Sequence, residues 1–296
     1  MNTRELLACA KLNWTLAIVG RRDDGMHLID SIFVPVSLFD RIYIERIHVE
    51  SMPPTSLRSK QPFASDVVVE ASSAGVPSGQ ANLAHQAAAA YGVAAAARVQ
   101  LHLFIEKHIP TGAGLGGGSS DAAAVLRALE NASPRPIGAE ELHRVAATLG
   151  SDVPFFLKPG AKRATGVGDS LEPFAGELPK HFVLCSDGVA LSTREVYRAY
   201  DDALTSQSAP SKRSDSVVGG EPSSGGKNDL EAAAIRLHPG IIAVRDEMLR
   251  LGLADVAMTG SGSVLFGTTP FREEASQVSS ELRRRGYWSE VADSIC

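Results

Sequence analysis

The chain has 296 residues, 44% hydrophobic and 21% charged, an ordinary balance for a globular protein of two domains or one large one. A net charge of −5 gives no reason to expect a nucleic-acid partner, because phosphate backbones reward a basic stripe. No apolar run approaches the ~20 residues of a membrane helix, the start Met1-Asn2-Thr3-Arg4-Glu5 lacks a signal-peptide pattern, and Cys9, Cys185 and Cys296 show no C-x-x-C spacing, which together predict a cytoplasmic protein without disulfides.

In chain order, Leu12 to Ile18 and Asp40 to Ile47 read as strands, joined through the charged turn Gly20-Arg21-Arg22-Asp23-Asp24-Gly25. Ser51 to Pro62 reads as a proline-bearing loop, Asp66 to Ala71 as a strand, and Asn82 to Ala97 as an alanine-rich helix capped by Asn82. Val99, Leu101, Leu103 and Ile105 alternate with Gln100, His102 and Glu106, which predicts a half-buried strand of an antiparallel or mixed sheet. A helix is expected from Asp121 to Glu130, and another from Ala139 to Leu149, stopped by Gly150. Phe182 to Leu184 reads as a buried strand and Thr193 to Asp202 as a helix capped by Ser192 or Thr193. Thr205 to Gly226, rich in Ser, Gly and Pro, reads as a mobile loop. Ile241 to Leu251 and Arg272 to Arg285 read as helices, and between them Ala257 to Phe266 passes through Thr-Gly-Ser-Gly. Strand runs mixed with helices, without regular βαβα alternation, give the class α+β. The expected domains are 1–165 and 166–296, the second carrying the insertion near 205–226.

The most informative stretch is Pro110-Thr111-Gly112-Ala113-Gly114-Leu115-Gly116-Gly117-Gly118-Ser119-Ser120. Closely spaced glycines let backbone approach a ligand without a Cβ in the way. The loop feeds a helix N-terminus, whose unpaired N–H groups and positive dipole end attract an anion. No lysine follows the glycines, so this is not the G-x-x-x-x-G-K-[ST] loop. Gly112, Gly114 and Gly117 match G-x-G-x-x-G, yet the alternating strand before them disfavours a dinucleotide fold. A phosphate cradle of another kind is the reading.

Four further segments carry candidate chemistry. In Ala10-Lys11-Leu12-Asn13 the lysine and asparagine share one strand face, although a strand lysine is usually a solvated one. In Gly25-Met26-His27 the histidine alone says little. In Gly150-Ser151-Asp152-Val153-Pro154-Phe155-Phe156 the aspartate reads as a cap for a short turn, or as a carboxylate available as a base. Met258-Thr259-Gly260-Ser261-Gly262-Ser263 reads as a bend between strands, or as backbone brought close to the glycine loop and its ligand.

Taken in order, Ala10 to Asn13, Pro110 to Ala122 and Met258 to Gly262 resemble the three motifs of the GHMP kinase superfamily. The segments Gly20 to His27, Asn82-Leu83, Gly150 to Phe156, Gly166-Val167-Gly168-Asp169 and Asn228-Asp229-Leu230-Glu231 agree with it. The resemblance implies a ribosomal-protein-S5-like N-terminal domain and a ferredoxin-like C-terminal domain. It implies ATP as phosphoryl donor, with Mg²⁺ arriving alongside and no protein ligand assigned to the metal. The glycine loop Pro110 to Ser120 would bind ATP, Lys11 and Asp152 would be the catalytic pair, with Lys11 holding Asp152 ionised, and Asn13, His27, Tyr197, Thr259 and Gly260 would meet the substrate. The expanded Gly-Leu-Gly-Gly-Gly-Ser-Ser-Asp-Ala-Ala form is most similar to that of members acting on a cytidine-diphosphate-bearing methylerythritol, and this resemblance implies phosphorylation of its 2-hydroxyl in non-mevalonate isoprenoid synthesis; a monomer or homodimer is expected. His27 and Tyr197 would then contact the cytosine, beside Met26 where the family commonly has a tyrosine. The alternatives are another small-alcohol kinase of the superfamily, with a homoserine- or mevalonate-like substrate, and a catalytically silent ATP-binding protein.

Overall fold

A computed structural model describes residues 4–52, 66–73, 75–206 and 226–295. Its Cα atoms cluster into two compact units, neither of them one continuous stretch. The first comprises Met1–Ala10, Leu38–Thr111 and Gly116–Pro159, the second Lys11–Ser37, Gly112–Leu115 and Gly160–Cys296. Two long strands, β1 (Arg4–Arg21) and β2 (His27–Ser51), contribute residues to both.

In the first unit, β2 is followed by β3 (Asp66–Ala71), α1 (Leu83–Ala94), β4 (Ala97–Glu106), α2 (Gly117–Ala132) and α3 (Ala139–Leu149). Residues 41–51 of β2 run antiparallel to β4, while β3 runs parallel to it. This is the mixed sheet that the alternation at Val99 to Ile105 predicts, with Leu101, Leu103 and Ile105 buried on one face. Helix α1 packs on both β4 and α2. Its small buried residues Ala84, Ala87, Ala88 and Gly92 allow close approach. Full burial of each large aliphatic side chain here contributes about 2 kcal/mol. Asn82 caps α1 as expected: its Oδ1 accepts from the N–H of Ala84 at 2.8 Å.

In the second unit, β5 (Lys162–Thr165) and β6 (Ser170–Pro173) form a hairpin closed by Gly166 to Asp169, and β5 pairs with β2 at residues 31–33. There follow β7 (His181–Ser186), α4 (Thr193–Ser206), β8 (Lys227–Asn228), α5 (Glu231–Leu237), α6 (Gly240–Arg250), β9 (Ala254–Met258), β10 (Leu265–Thr269), α7 (Arg272–Arg284) and β11 (Trp288–Asp293). An antiparallel sheet in the order β11-β7-β10-β9 carries α6 and α7 against it, with Val183, Leu265, Val244, Met248 and Leu282 in the shared core. Trp14 lies edge-on to Phe182 and tilted over Phe266, at ring separations of 6.0 and 5.6 Å. Among the described residues, no helix is long and apolar enough to cross a membrane.

The structure corrects several expectations. The strand read as Asp40 to Ile47 begins at His27, since Ile32 to Val36 is a buried, continuous apolar run that lacks the two-residue alternation. Helix α2 begins at Gly117 rather than Asp121. Val153, rather than Asp152, stands at the N-cap position of the 3₁₀ turn Pro154–Leu157. The α5 helix and strands β5, β6, β8 and β11 were not foreseen, being short segments with weak periodicity. Most of Ser51 to Pro62 and of Thr205 to Gly226 falls outside the described residues.

Candidate active site

Strand β1 places Lys11 in the interior of the second unit, 3% exposed, because the strand has neighbours on both sides, β2 and β8. A buried ammonium needs partners. Lys11 Nζ donates to Asn13 Oδ1 at 2.6 Å and stands 4.4 Å above the Phe33 ring. The shared strand face expected for Lys11 and Asn13 is thus a direct hydrogen bond. Asn13 Nδ2 donates to Ser31 Oγ at 2.8 Å, and its backbone N–H reaches Thr259 Oγ1 at 3.0 Å. The ammonium is therefore held on a rigid frame through Asn13.

The same frame holds the first part of the glycine loop. The N–H of Lys11 donates to the carbonyl of Leu115 at 2.9 Å. Gly114 has φ +77°, and a Cβ there would collide with the carbonyl of Thr259. A Cβ on Gly260 would meet the Gly114 carbonyl at 3.0 Å. Met258 to Ser263 is therefore both a bend between β9 and β10 and a seat for the glycine loop. Asn228, a motif residue without an assigned role, fixes that seat: its Nδ2 donates to the carbonyls of Met258 and Gly260 at 2.7 and 2.8 Å. Its neighbour Asp229 accepts from the N–H of Ile18 at 2.8 Å, tying β8 to β1.

The rest of the loop belongs to the first unit. Gly116 adopts a left-handed φ of 72° at the N-cap of α2, and no side chain caps the helix. The N–H groups of Gly117, Gly118 and Ser119 have no carbonyl one turn earlier in the helix, and Ser119 and Ser120 lie inside its first turn rather than in the loop. Such an uncapped, 16-residue helix start is suited to an anion. Asp152, partly exposed, follows α3 in this unit beside the buried wall of Val153, Pro154, Phe155 and Phe156.

His27 and Tyr197 come together in the second unit, with ring centroids 4.8 Å apart and 32° between planes. Tyr200 meets His27 edge-on at 6.1 Å. His27 Nε2 lies 2.8 Å from Asp201 Oδ1. A carboxylate there favours a proton on Nε2. Met26, beside it, is exposed. Asp201 and Tyr200 escaped the sequence reading because they are about 174 residues away from His27 in the chain and belong to no motif.

Comparison with known proteins identifies the family. Residues 70–160 match the GHMP kinases N terminal domain and residues 220–287 the GHMP kinases C terminal family. The chain is 36% identical over 296 residues to the 4-diphosphocytidyl-2-C-methyl-D-erythritol kinase of Desulfitobacterium hafniense, covering 97% of this chain and 94% of that one. It is 37% identical over 284 residues to the enzyme of the same name from Thermus thermophilus, covering 95% and 94%. A crystal structure of a 4-(cytidine 5'-diphospho)-2C-methyl-D-erythritol kinase superposes with a TM-score of 0.74 at 34% identity, covering 99% of each chain. With the two-domain fold, the matched motifs and near full-length identity in agreement, the chain belongs to the GHMP kinases, as a member of their 4-diphosphocytidyl-2-C-methyl-D-erythritol kinase family of ATP-dependent enzymes.

Proposed function

We propose that this chain transfers the terminal phosphoryl group of ATP to the 2-hydroxyl of 4-diphosphocytidyl-2-C-methyl-D-erythritol, a step of non-mevalonate isoprenoid synthesis. The observation that carries the reading is the start of α2: a glycine N-cap, no capping side chain, and a bare first turn. Its N–H groups would bind the triphosphate, where charge stabilisation and positioning dominate phosphoryl transfer. The substrate hydroxyl attacks the terminal phosphorus as the bond to the bridging oxygen breaks, ADP leaves, and the hydroxyl proton passes to the carboxylate of Asp152. Lys11, held by Asn13 and Phe33, would offset charge on the transferred group. Asn13, Thr259 and Gly260 would shape the substrate side, and His27 with Tyr197 would take the cytosine.

Among the described residues, no cluster of three or more His, Cys, Asp or Glu side chains gathers to hold a metal. Mg²⁺ bound together with ATP would supply neutralisation of phosphate charge. The test is ATP turnover against a panel of alcohols with and without a cytidyl group. Activity confined to the cytidyl compound is expected, and preference for homoserine or mevalonate would overturn the substrate. Asp152→Asn should lower kcat by about 10³-fold with ATP affinity near that of the parent, and parental turnover would remove Asp152 from the mechanism.

A further inference from the structure

Beneath the second half of the glycine loop lies a buried charged cluster that the mechanism above does not use. Asp40, on β2, is fully buried. Its Oδ1 accepts from the backbone N–H groups of His108 and Ile109 at 2.7 and 2.9 Å, the two residues just before Pro110. Its Oδ2 pairs with Lys107 Nζ, and that same nitrogen donates to Asp121 Oδ2 at 2.8 Å. Asp121 is on α2, one turn beyond its bare N–H groups. The side chains of Lys107 and Asp121 are 7% and 5% exposed. A Cβ on Gly117 would lie 3.3 Å from Asp40 Oδ2 and 2.9 Å from Ile109 Cγ2, so the first residue of α2 rests directly on this cluster.

Removing ionisable groups from water is expensive, and buried ion pairs are weak general sources of stability. What this one does is geometric. Asp40 grips the backbone entering the loop, Asp121 belongs to the helix leaving it, and Lys107 ties the two carboxylates together. We infer that Asp40, Lys107 and Asp121 are positioning residues for nucleotide binding, clasping the strand before the glycine loop to the helix after it so that the N–H groups of Gly117, Gly118 and Ser119 hold the orientation a phosphate needs. The inference rests on the phosphate-cradle reading of that helix start. A misplacement of about 1 Å in such donors is enough to cost 10²-fold in rate.

The test measures ADP binding by calorimetric titration, and steady-state KM for ATP and for the cytidyl alcohol, on the full chain. Lys107→Met and Asp40→Asn should weaken ADP at least tenfold and raise KM for ATP similarly, with KM for the alcohol within twofold. Lys107→Arg, which keeps the charge, should recover part of the loss. A merely structural cluster would lower the melting temperature and leave ADP affinity at the parental value, and that result overturns the inference. Should Lys107→Met not fold, Lys107→Arg and Asp121→Asn carry the same readout: threefold or greater weakening of ADP supports the clasp, parental affinity in both sinks it. Gly118→Val separates the two readings. Gly118 is exposed and a Cβ there meets only Leu83 Cδ1, at 3.6 Å, so the valine should fold yet block ADP. If it binds ADP normally the cradle reading fails, whereas loss there with parental affinity in the cluster variants defeats the clasp alone.

Discussion

The two parts of the glycine loop are held by opposite chemistry. Gly114 and Leu115 rest on a neutral lattice in the second unit: the Thr259 carbonyl, the Lys11 N–H, and Asn228 behind them. Gly117 rests on the titratable cluster of the first unit, Asp40, Lys107 and Asp121. Neutral hydrogen bonds to backbone fix a position with little sensitivity to pH, whereas buried charges hold strongly only while their protonation suits. One loop therefore has a part whose support is indifferent to proton concentration and a part that feels it.

The largest expected effect attacks the neutral part. Gly114→Ala forces a Cβ against backbone at a positive φ, and should destabilise by about 3 kcal/mol, read as a loss in denaturant midpoint. A near-parental midpoint would show that the Thr259 turn can yield. The second manipulation titrates the charged part. Burial, first, pushes Asp121 up to about 7; the Lys107 charge opposes that rise and Asp40 adds to it. A carboxyl raised in the folded state binds a proton there that the unfolded chain has already lost. Its stabilisation is complete below the unfolded value of 3.8 and disappears as pH climbs through about 7. Asp121→Asn should flatten that decline between pH 4.5 and 7.5 in thermal melts, and parallel curves for parent and variant would break the contrast. Lys107 is shifted upward in turn: burial works against its charge, but Asp121 and Asp40 outweigh burial, so its own contribution persists until alkaline pH.

The smallest effect is expected at Gly117→Ala. The new methyl meets Ile109 Cγ2 at 2.9 Å and Ile109 Cβ at 3.1 Å, side-chain atoms of a buried residue rather than backbone. A loss of about 1 kcal/mol is expected, because the helical φ of Gly117 adds no strain of its own. A loss as large as that of Gly114→Ala would mean that the cluster cannot adjust.

Much of this was legible in the chain. The alternation at Val99 to Ile105 gave the mixed sheet, Asn82 its helix cap, and the glycine run its helix start. Period-two spacing correctly joined Lys11 to Asn13. Other features were hidden by identifiable physics. Glycine's poor propensity pointed to Asp121 as the start of α2, yet the first turn needs no carbonyl behind it, and its packing on Ile109 admits Gly117. The Asp40 and Lys107 pair is separated by 67 residues, and each taken alone reads as a solvated strand-end charge. Trp14, directly after the Lys11–Asn13 segment, packs against the Phe182 and Phe266 rings, which lie far along the chain.

The interior placement of Lys11 has a consequence for the free protein. Its amine, unlike those of exposed Lys158, Lys180 and Lys227, is shut off from bulk solvent, so acylating reagents should mark those three and spare it. A long cationic chain ordinarily surrenders rotamer freedom worth up to about 2 kcal/mol when it is pinned against a ligand. Here folding has already imposed that confinement, so the positive charge is stationed before any ligand arrives.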